Sequence, residues 1–388
     1  MQKLLLISCL VVMACGCKEK FYADLPSPAT GFLIAEGVIN IGDKVRTEIR
    51  LARTTALDNP DVQFEENARV YIEDQQNDRI ELSHADSGKF ISPELSLPTG
   101  RQYRLRIIAN NKEYVSGFTE AKISPAIDSL FWVPKDDGIE IRLMTHDTQN
   151  ASKYYSWSYI ETWQYSTPYF STIKFDPATI TDPILPPIVP RLSSDPPIYT
   201  CWMTVPSSSI VIGSTVNLSE DIIYAKPVRF VSASNSNRLV SHYSIIVKQS
   251  ILPKEGYEYL QRMQKNTELT GSVFDSQPSE LRGNITCVSD SSEIVVGFIS
   301  ASSITEKRIF IKREELPQLN INTLYQDCYI DELPYIRDTM IYWFESGSYI
   351  PVQPKEVLGR VVAVSYSYNK CVDCRKLGGS NQKPSFWP

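Results

Sequence analysis

The residues with the clearest chemistry in this chain are cysteines, and two of them follow an N-terminal apolar segment. Lys3 precedes the apolar segment 4–14, and Cys15-Gly16-Cys17 comes directly after it. A basic start, an apolar run of about a dozen residues and a small-residue exit are typical of a secretory signal. The run is shorter than the roughly 20 residues that span a bilayer. A cysteine after a small residue predicts acylation of that cysteine and a lipid-tethered mature chain.

Two positions for the acylated cysteine stay open. Cys17 follows Gly16 and Cys15 follows Ala14, and both small residues suit a signal peptidase. We favour Cys17, with Cys15 as the alternative, because a charged stretch typical of a tether starts directly after Cys17. Acyl chains anchor strongly, since each buried methylene contributes about 0.8 kcal/mol. The sequence thus predicts a signal over 1–17 and a tether over 18–29.

The other cysteines predict disulfides, because an exported chain reaches an oxidising compartment. Cys371 and Cys374 form one close pair, but no second pair or nearby histidine completes a zinc site. The number of candidates is odd, so one thiol is left over unless Cys17 joins them and Cys15 carries the lipid. Spacing leaves the pairing open. The candidate disulfide residues are Cys201, Cys287, Cys328, Cys371 and Cys374.

Signatures of catalysis are scarce. The three histidines, His84, His146 and His242, are far apart in sequence, and the chain has no G-x-S-x-G, H-E-x-x-H or phosphate-loop motif. We therefore predict no catalytic residue, no metal and no cofactor. The net charge of −6 gives no electrostatic reason to bind nucleic acid. Carboxylate pairs abound, so a glycan- or peptide-acting enzyme stays as the least favoured alternative.

The chain around the cysteines is predicted to be built mainly from β-strands. Apolar and polar residues alternate over 68–74 and 100–107, and a turn over 86–90 leads into a further strand. The series A-x-V-x-I-x-D, D-x-G-x-F and G-x-x-Y-x-L-x-I resembles prealbumin-like β-sandwich domains, akin to carboxypeptidase regulatory domains. That resemblance implies an antiparallel sandwich over residues 30–124 that serves adhesion or docking.

The rest of the chain predicts a larger β-rich domain over 125–315 with one helix. Tyr257, Leu260 and Met263 recur at helical spacing, which places the helix near 253–266. Seven prolines over 176–197 predict a long extended loop, either a flexible linker or a contact arm for a partner. The final segment 316–388 is predicted to be stapled by the Cys371-x-x-Cys374 pair, with short strands at 340–344 and 361–368 and Trp387 as a plug.

The most aromatic stretch is 154–165, where the aromatic residues at odd positions would share one face of a strand. Two interpretations stay open: a sandwich core, or an exposed platform for sugar rings or a peptide. Glu161 has the same parity, which fits a partly wet face or a bulge better than a dry core. The candidate binding surface consists of Tyr155, Trp157, Tyr159, Trp163 and Tyr165.

The chain resembles, from the N-terminal signal to Trp387 and most clearly in its second half, a family of Bacteroidota lipoproteins catalogued as domain of unknown function 4249. The most specific parts are Gly283-Asn284-Ile285, Gly297-Phe298, Ser300-Ala301-Ser302 and the ending Cys371-x-x-Cys374, Gly378-Gly379 and Phe386-Trp387. Such lipoproteins are typically encoded beside TonB-dependent outer-membrane receptors. The resemblance implies a lipid-anchored outer-membrane protein, facing the cell exterior, that is an accessory to such a receptor or its substrate. The ligand stays unknown, and a structural adhesin or envelope component is the alternative.

Overall fold

The structure is a computed structural model that describes residues 31–55, 61–268 and 282–388. The predicted signal, the tether and both candidate acylated cysteines, Cys15 and Cys17, lie outside these residues. Strands dominate the described chain, which confirms the predicted mainly β fold. Within the described ranges, no helix is both long and apolar enough to cross a membrane.

The N-terminal unit is a β-sheet that curls around one hydrophobic core. Its strands are β1 (Leu33–Asn40), β2 (Gly42–Val45), β3 (Glu48–Arg53), β4 (Gln63–Phe64), β5 (Arg69–Asp74), β6 (Arg79–His84), β7 (Lys89–Ile91), β8 (Leu95–Leu97), β9 (Gln102–Ala109), β10 (Lys112–Ser116) and β11 (Thr119–Glu120). The main hydrogen-bonded order is β10-β9-β5-β6-β7-β3-β1, and β2 and β8 form a separate two-stranded sheet. Ile72 on β5 and Leu105 on β9 are buried in the same core as Leu33 at the far end of this order, so one curled sheet, in place of two separate sheets, encloses the core.

The second unit packs two sheets face to face. Its strands are β12 (Ile127–Lys135), β13 (Gly138–His146), β14 (Tyr154–Ser166), β15 (Ile173–Phe175), β16 (Ile188–Pro190), β17 (Thr200–Pro206), β18 (Val211–Ser214), β19 (Ile222–Ser232) and β20 (His242–Ile251). One sheet has the order β12-β13-β19, and the other has β17-β14-β20 with β18 also paired to β14, whereas β15 and β16 pair with each other outside both sheets. Ile141 on β13 and Trp157 on β14 belong to one core cluster, so the inner faces of the two sheets meet.

The predicted helix is present as α1 (Lys254–Glu268). It begins directly after Pro253, a residue whose fixed φ suits a first helical turn. Tyr259 is buried and its ring lies 6.0 Å from that of Phe298. Phe298, in the segment that follows the helix in the chain, thus packs against the buried side of α1.

After α1 the chain returns to the N-terminal unit. β21 (Ile285–Cys287) pairs with β10, and β22 (Val295–Val296) and β23 (Ser300–Ser302) pair in parallel with β1. β24 (Thr305–Lys312) then crosses back and pairs with β20. The assignment of all of 125–315 to the second domain is therefore wrong for 285–302. Strands of two or three residues carry too little pattern to indicate which sheet edge they will join.

The C-terminal segment forms a small lobe of β25 (Asp331–Pro334), α2 (Arg337–Phe344), β26 (Tyr349–Val357) and β27 (Arg360–Tyr368). The predicted strand at 340–344 is wrong, because these residues lie in α2. Met340 and Phe344 are one helical turn apart and both are buried against Val364 and Tyr366 of β27. A short apolar run fits a strand and a helix equally well until its partner surface is known.

Candidate functional site

A cleft of about 390 Å³ opens beside the C-terminal lobe, between the end of β14 and the proline-rich loop. It is lined by residues 170–172, 191–193 and 195–199. Phe170 and Tyr199 form its aromatic wall: their rings meet edge to face at 5.4 Å, and 58% and 37% of these residues remain exposed. Exposed aromatic rings at a cleft are surfaces on which a ligand can bury apolar area.

The backbone behind this wall is tied to the C-terminal segment. Tyr169 N–H donates to Cys371 O at 3.3 Å, and the Tyr169 hydroxyl donates to Cys328 O at 3.2 Å. On the other side of the cleft, Cys374 N–H donates to Ile198 O at 2.8 Å and the Asn381 amide donates to Pro197 O at 2.9 Å. The wall thus rests on a segment that contains three disulfide-bonded cysteines.

Two disulfides fix this segment. Cys201 is joined to Cys374, and Cys328 is joined to Cys371. The predicted disulfides of the C-terminal segment are thus present, and the two cysteines of the close pair bond to different partners. Cys287, the fifth candidate, is a free buried thiol on β21 and takes no part in a disulfide. The cleft is therefore covalently cross-linked, and its geometry exists before a ligand arrives.

The proline-rich loop 176–197 is fastened along its length. β15 pairs with β16, and the Arg337 guanidinium donates to Ile180 O at 2.6 Å and to Asp182 O at 2.8 Å. Asp195 accepts from Leu192 N–H at 2.8 Å and forms an ion pair with Lys174. These bonds fit an arm held against the body and do not fit a flexible linker. At its tip, Ile184 and Leu185 are exposed.

Arg191 is the cation among the lining residues of the cleft, and Asp195 is the carboxylate. Its Nε donates to the buried Ser171 hydroxyl at 3.0 Å, and its backbone N–H donates to Thr172 O. Burial lowers the pKa of the Arg191 guanidinium, and the charges of Asp195 and Asp373 offset part of that effect. The group stays protonated, because an arginine does not lose its proton in a protein at ordinary pH.

The predicted aromatic binding surface is wrong as a surface. The five aromatic side chains at odd positions of β14 are all between 0% and 5% exposed, because this face packs against the other sheet. The buried polar tips have partners: the Tyr155 hydroxyl donates to Asp221, Trp157 Nε1 donates to Gln249, and the Tyr165 hydroxyl donates to Cys374 O. The buried residues are Tyr155, Trp157, Tyr159, Trp163 and Tyr165.

Glu161 lies on the same buried face, and its charge is neutralised inside the protein. Its Oε1 lies 3.3 Å from Arg229 Nε and 3.4 Å from Arg238 Nε, and it accepts a 2.9 Å hydrogen bond from the Tyr243 hydroxyl. The carboxylate signal that pointed to a wet face therefore comes from a buried ion cluster. Sequence alone gave no indication of the two arginines, which come from β19 and the following loop.

The histidines have separate environments. His146 Nδ1 lies 2.8 Å from an Asp128 oxygen, which raises the pKa of that imidazole. His242 contacts Gln164, and the ring of His84 packs against Phe90. In the part of the chain that the structure describes, no three His, Cys, Asp or Glu side chains are placed to hold a metal ion.

A family model described as "Domain of unknown function (DUF4249)" matches residues 18–308, three quarters of the chain. The chain belongs to this family. The matched range includes the whole cleft wall and the proline-rich loop, whereas three of the four disulfide cysteines lie beyond it. No curated protein matches the chain.

A solved structure titled "Biofilm associated protein - BSP domain" aligns with 80% of this chain at 8% identity and a TM-score of 0.12. The chain spans 63% of the length of that protein. A similarity this low carries no argument about fold or function.

The cleft itself was missed at the level of sequence. Phe170 and Arg191 lie in irregular segments, so no periodicity marks them. The one available signal was the density of prolines around Arg191, which indicated an extended loop but not the surface that the loop would face.

Proposed function

We propose that the protein is a lipid-anchored outer-membrane lipoprotein that binds a partner through its C-terminal cleft, as an accessory to a TonB-dependent receptor or its substrate. The observation that carries this proposal is the exposed Phe170–Tyr199 pair on a wall backed by two disulfides. Aromatic anchors in a rigid pocket are typical of sites where binding energy is concentrated. A rigid wall also loses little conformational entropy when a partner binds.

The disulfides also support export. Cytosolic proteins rarely keep structural disulfides, because their compartment is reducing. The pairs Cys201–Cys374 and Cys328–Cys371 fit a mature chain in an oxidising compartment, which is where the signal over 1–17 would send it. An acylated Cys17, or Cys15, would then hold the body at a membrane.

The proline-rich loop supplies a second contact surface. Ile184 and Leu185 are exposed at its tip. The backbone just before them is fixed by the hydrogen bonds from Arg337 to Ile180 O and Asp182 O. Exposed aliphatic side chains on a fixed backbone lose little entropy on docking. They fit the contact-arm interpretation of the proline-rich loop.

Co-purification tests the proposal. Tagged protein would be isolated from detergent-solubilised outer membranes, and bound proteins identified by mass spectrometry. We expect a TonB-dependent receptor with the wild type, and its loss with the double variant Phe170→Ala/Tyr199→Ala. Tyr224→Ala is the matched control, because Tyr224 is a highly exposed ring on β19, away from the cleft, and its loss should leave capture unchanged.

Recovery of the wild type without a receptor in several detergents would contradict the accessory role. Mass spectrometry of the acylated N-terminal peptide would decide between Cys17 and Cys15. Protease treatment of intact cells tests the side of the membrane, since a body facing the exterior is degraded and a periplasmic one is protected.

A further inference from the structure

The guanidinium of Arg191 is bonded on one side only. Its Nε donates to Ser171 Oγ at 3.0 Å, and Ser171 in turn donates to Pro351 O at 2.8 Å and Ile173 O at 2.6 Å. Within the described residues no carboxylate forms an ion pair with Arg191. Ser171 therefore fixes the orientation of the guanidinium while leaving its two terminal nitrogens for a ligand.

The charges around the cleft leave one positive charge uncompensated. Asp195 is already bonded to Lys174, and Asp373 accepts two hydrogen bonds, of 2.9 and 2.7 Å, from the Arg375 guanidinium. The cleft region thus has three cations and two carboxylates, and Arg191 is the cation that has no carboxylate partner. A half-buried cation without a partner is costly, and an anion that enters the cleft recovers that cost.

The rest of the cleft is mainly apolar, although Asp195 and three serine and threonine side chains also line it. Phe170, Tyr199 and Leu192 are exposed beside Arg191, and Pro196 and Pro197 add to the apolar lining. A volume of about 390 Å³ is at the lower end of the roughly 300–1,000 Å³ typical of small-ligand sites. The space suits one ring-sized group, and the apolar surface favours a flat hydrocarbon or aromatic body.

We infer that the cleft binds a carboxylate attached to a flat apolar body, with Arg191 gripping the carboxylate and Phe170 and Tyr199 packing on the body. This inference rests on the proposed binding function and names the chemistry of its ligand. A planar guanidinium with two free nitrogens matches a carboxylate in a bidentate pair. One surplus charge suits a monoanion better than a phosphate dianion. The C-terminus of a peptide and a small aromatic acid share this chemistry.

Calorimetric titration of the full mature chain in detergent tests the inference with N-acetyl-phenylalanine, its amide and phenyl phosphate. We expect the acid to bind at least tenfold more tightly than the amide and than phenyl phosphate. Arg191→Gln should abolish this preference, and Arg191→Lys should restore only part of it. Equal affinity for acid and amide, or tighter binding of phenyl phosphate, would overturn the inference.

Matched variants separate charge from folding. Arg46→Gln removes an exposed arginine that pairs with Glu94 far from the cleft, and it should leave affinity unchanged. Phe170→Ala should weaken the binding of the acid and of the amide by the same factor, because it removes only the contact with the apolar body of the ligand. Equal unfolding midpoints for Arg191→Gln and wild type would show that lost binding is not lost folding. If Arg191→Gln binds the acid as the wild type does, the assignment of Arg191 is wrong.

A tetrapeptide ending in phenylalanine distinguishes the two sources of the carboxylate. Tighter binding than N-acetyl-phenylalanine identifies a chain terminus, and equal or weaker binding identifies a small acid. The outcome is separable from the receptor test. Receptor capture without carboxylate preference overturns this inference alone, whereas carboxylate binding without receptor capture overturns the accessory role alone.

Discussion

The hydroxyl of Tyr165 donates a 2.8 Å hydrogen bond to the carbonyl oxygen of Cys374, 209 residues further along the chain. Tyr165 also lies directly opposite Cys201 in the pairing of β14 with β17, and Cys201 carries the disulfide to Cys374. A covalent bond and a hydrogen bond thus attach the C-terminal segment to one rung of the sheet. The aromatic strand and the cysteine pair, separate features of the sequence, together support the cleft.

Loss of the two disulfides should destabilise the protein. Replacement of Cys201, Cys328, Cys371 and Cys374 by alanine should lower the free energy of unfolding by about 2–5 kcal/mol, because the unfolded chain regains the freedom of two long loops. Denaturant unfolding measures this change. The reductant dithiothreitol should lower the midpoint of the wild type and leave the midpoint of the quadruple variant unchanged.

The free thiol of Cys287 provides the control for that experiment. Cys287→Ala keeps both disulfides and removes one buried sulfur on β21, so it should show the same response to dithiothreitol as the wild type. A response that disappears in Cys287→Ala would mean that Cys287 pairs in solution and that the assignment of the disulfides is wrong.

Gly297 should be essential to the return of the chain to the N-terminal unit. Its φ is +141°, and a Cβ added there would lie 2.1 Å from Ala35 O on β1. We expect Gly297→Ala to cost about 2–4 kcal/mol, from backbone strain and from separation of 295–302 from β1. Hydrogen exchange should increase at β22 and β23 first, because these strands depend on that close approach.

Gly347→Ala is the matched control for that substitution. Gly347 has a φ of +70°, but nothing lies within 4 Å of an added Cβ, so only the conformational cost of about 1–2 kcal/mol applies. If Gly297→Ala costs no more than Gly347→Ala, the close contact between Gly297 and β1 is not present in solution.

The sequence predicted the strands and the helix that show a periodic residue pattern, and it missed the features that depend on residues distant in the chain. Alternation in β5 and β9 identified both strands because one face of each is buried. The parity of β14 was also predicted, but whether its aromatic face is buried depends on β13 and β19, which sequence does not place opposite it. The cleft depends on a disulfide between residues 173 positions apart. Local patterns contain no information on such a pairing.

The buried cluster around Glu161 should contribute to stability. Glu161→Gln removes the carboxylate charge that compensates Arg229 and Arg238, and we expect a loss of about 2–4 kcal/mol in the free energy of unfolding. The value stays below that of a fully buried pair because both guanidinia are partly exposed. Glu306→Gln breaks the exposed pair with Lys248 and should cost less than about 1 kcal/mol. Equal effects of the two substitutions would contradict the structure.

Buried tyrosines should make the protein sensitive to alkali. Burial raises the pKa of Tyr155 and Tyr243 above the ordinary value of 10.0, and the neighbouring carboxylates Asp221 and Glu161 raise it further. Burial and a hydrogen bond to Glu293 raise the pKa of Tyr114 to about 12. Above pH 10 the unfolded chain loses phenolic protons that the folded chain retains, so the unfolded state is favoured as the pH rises.

The free energy of unfolding should therefore be constant between about pH 8 and 9 and should fall above pH 10. The slope should reach about 1.4 kcal/mol per pH unit for each buried tyrosine. Urea unfolding at a series of pH values up to 11 measures it. Tyr243→Phe should reduce the slope by up to about 1.4 kcal/mol per pH unit, the contribution of one proton. Tyr224→Phe should leave the slope unchanged, because the ring of Tyr224 is highly exposed. A slope that Tyr243→Phe does not alter would show that this phenol ionises in the folded protein.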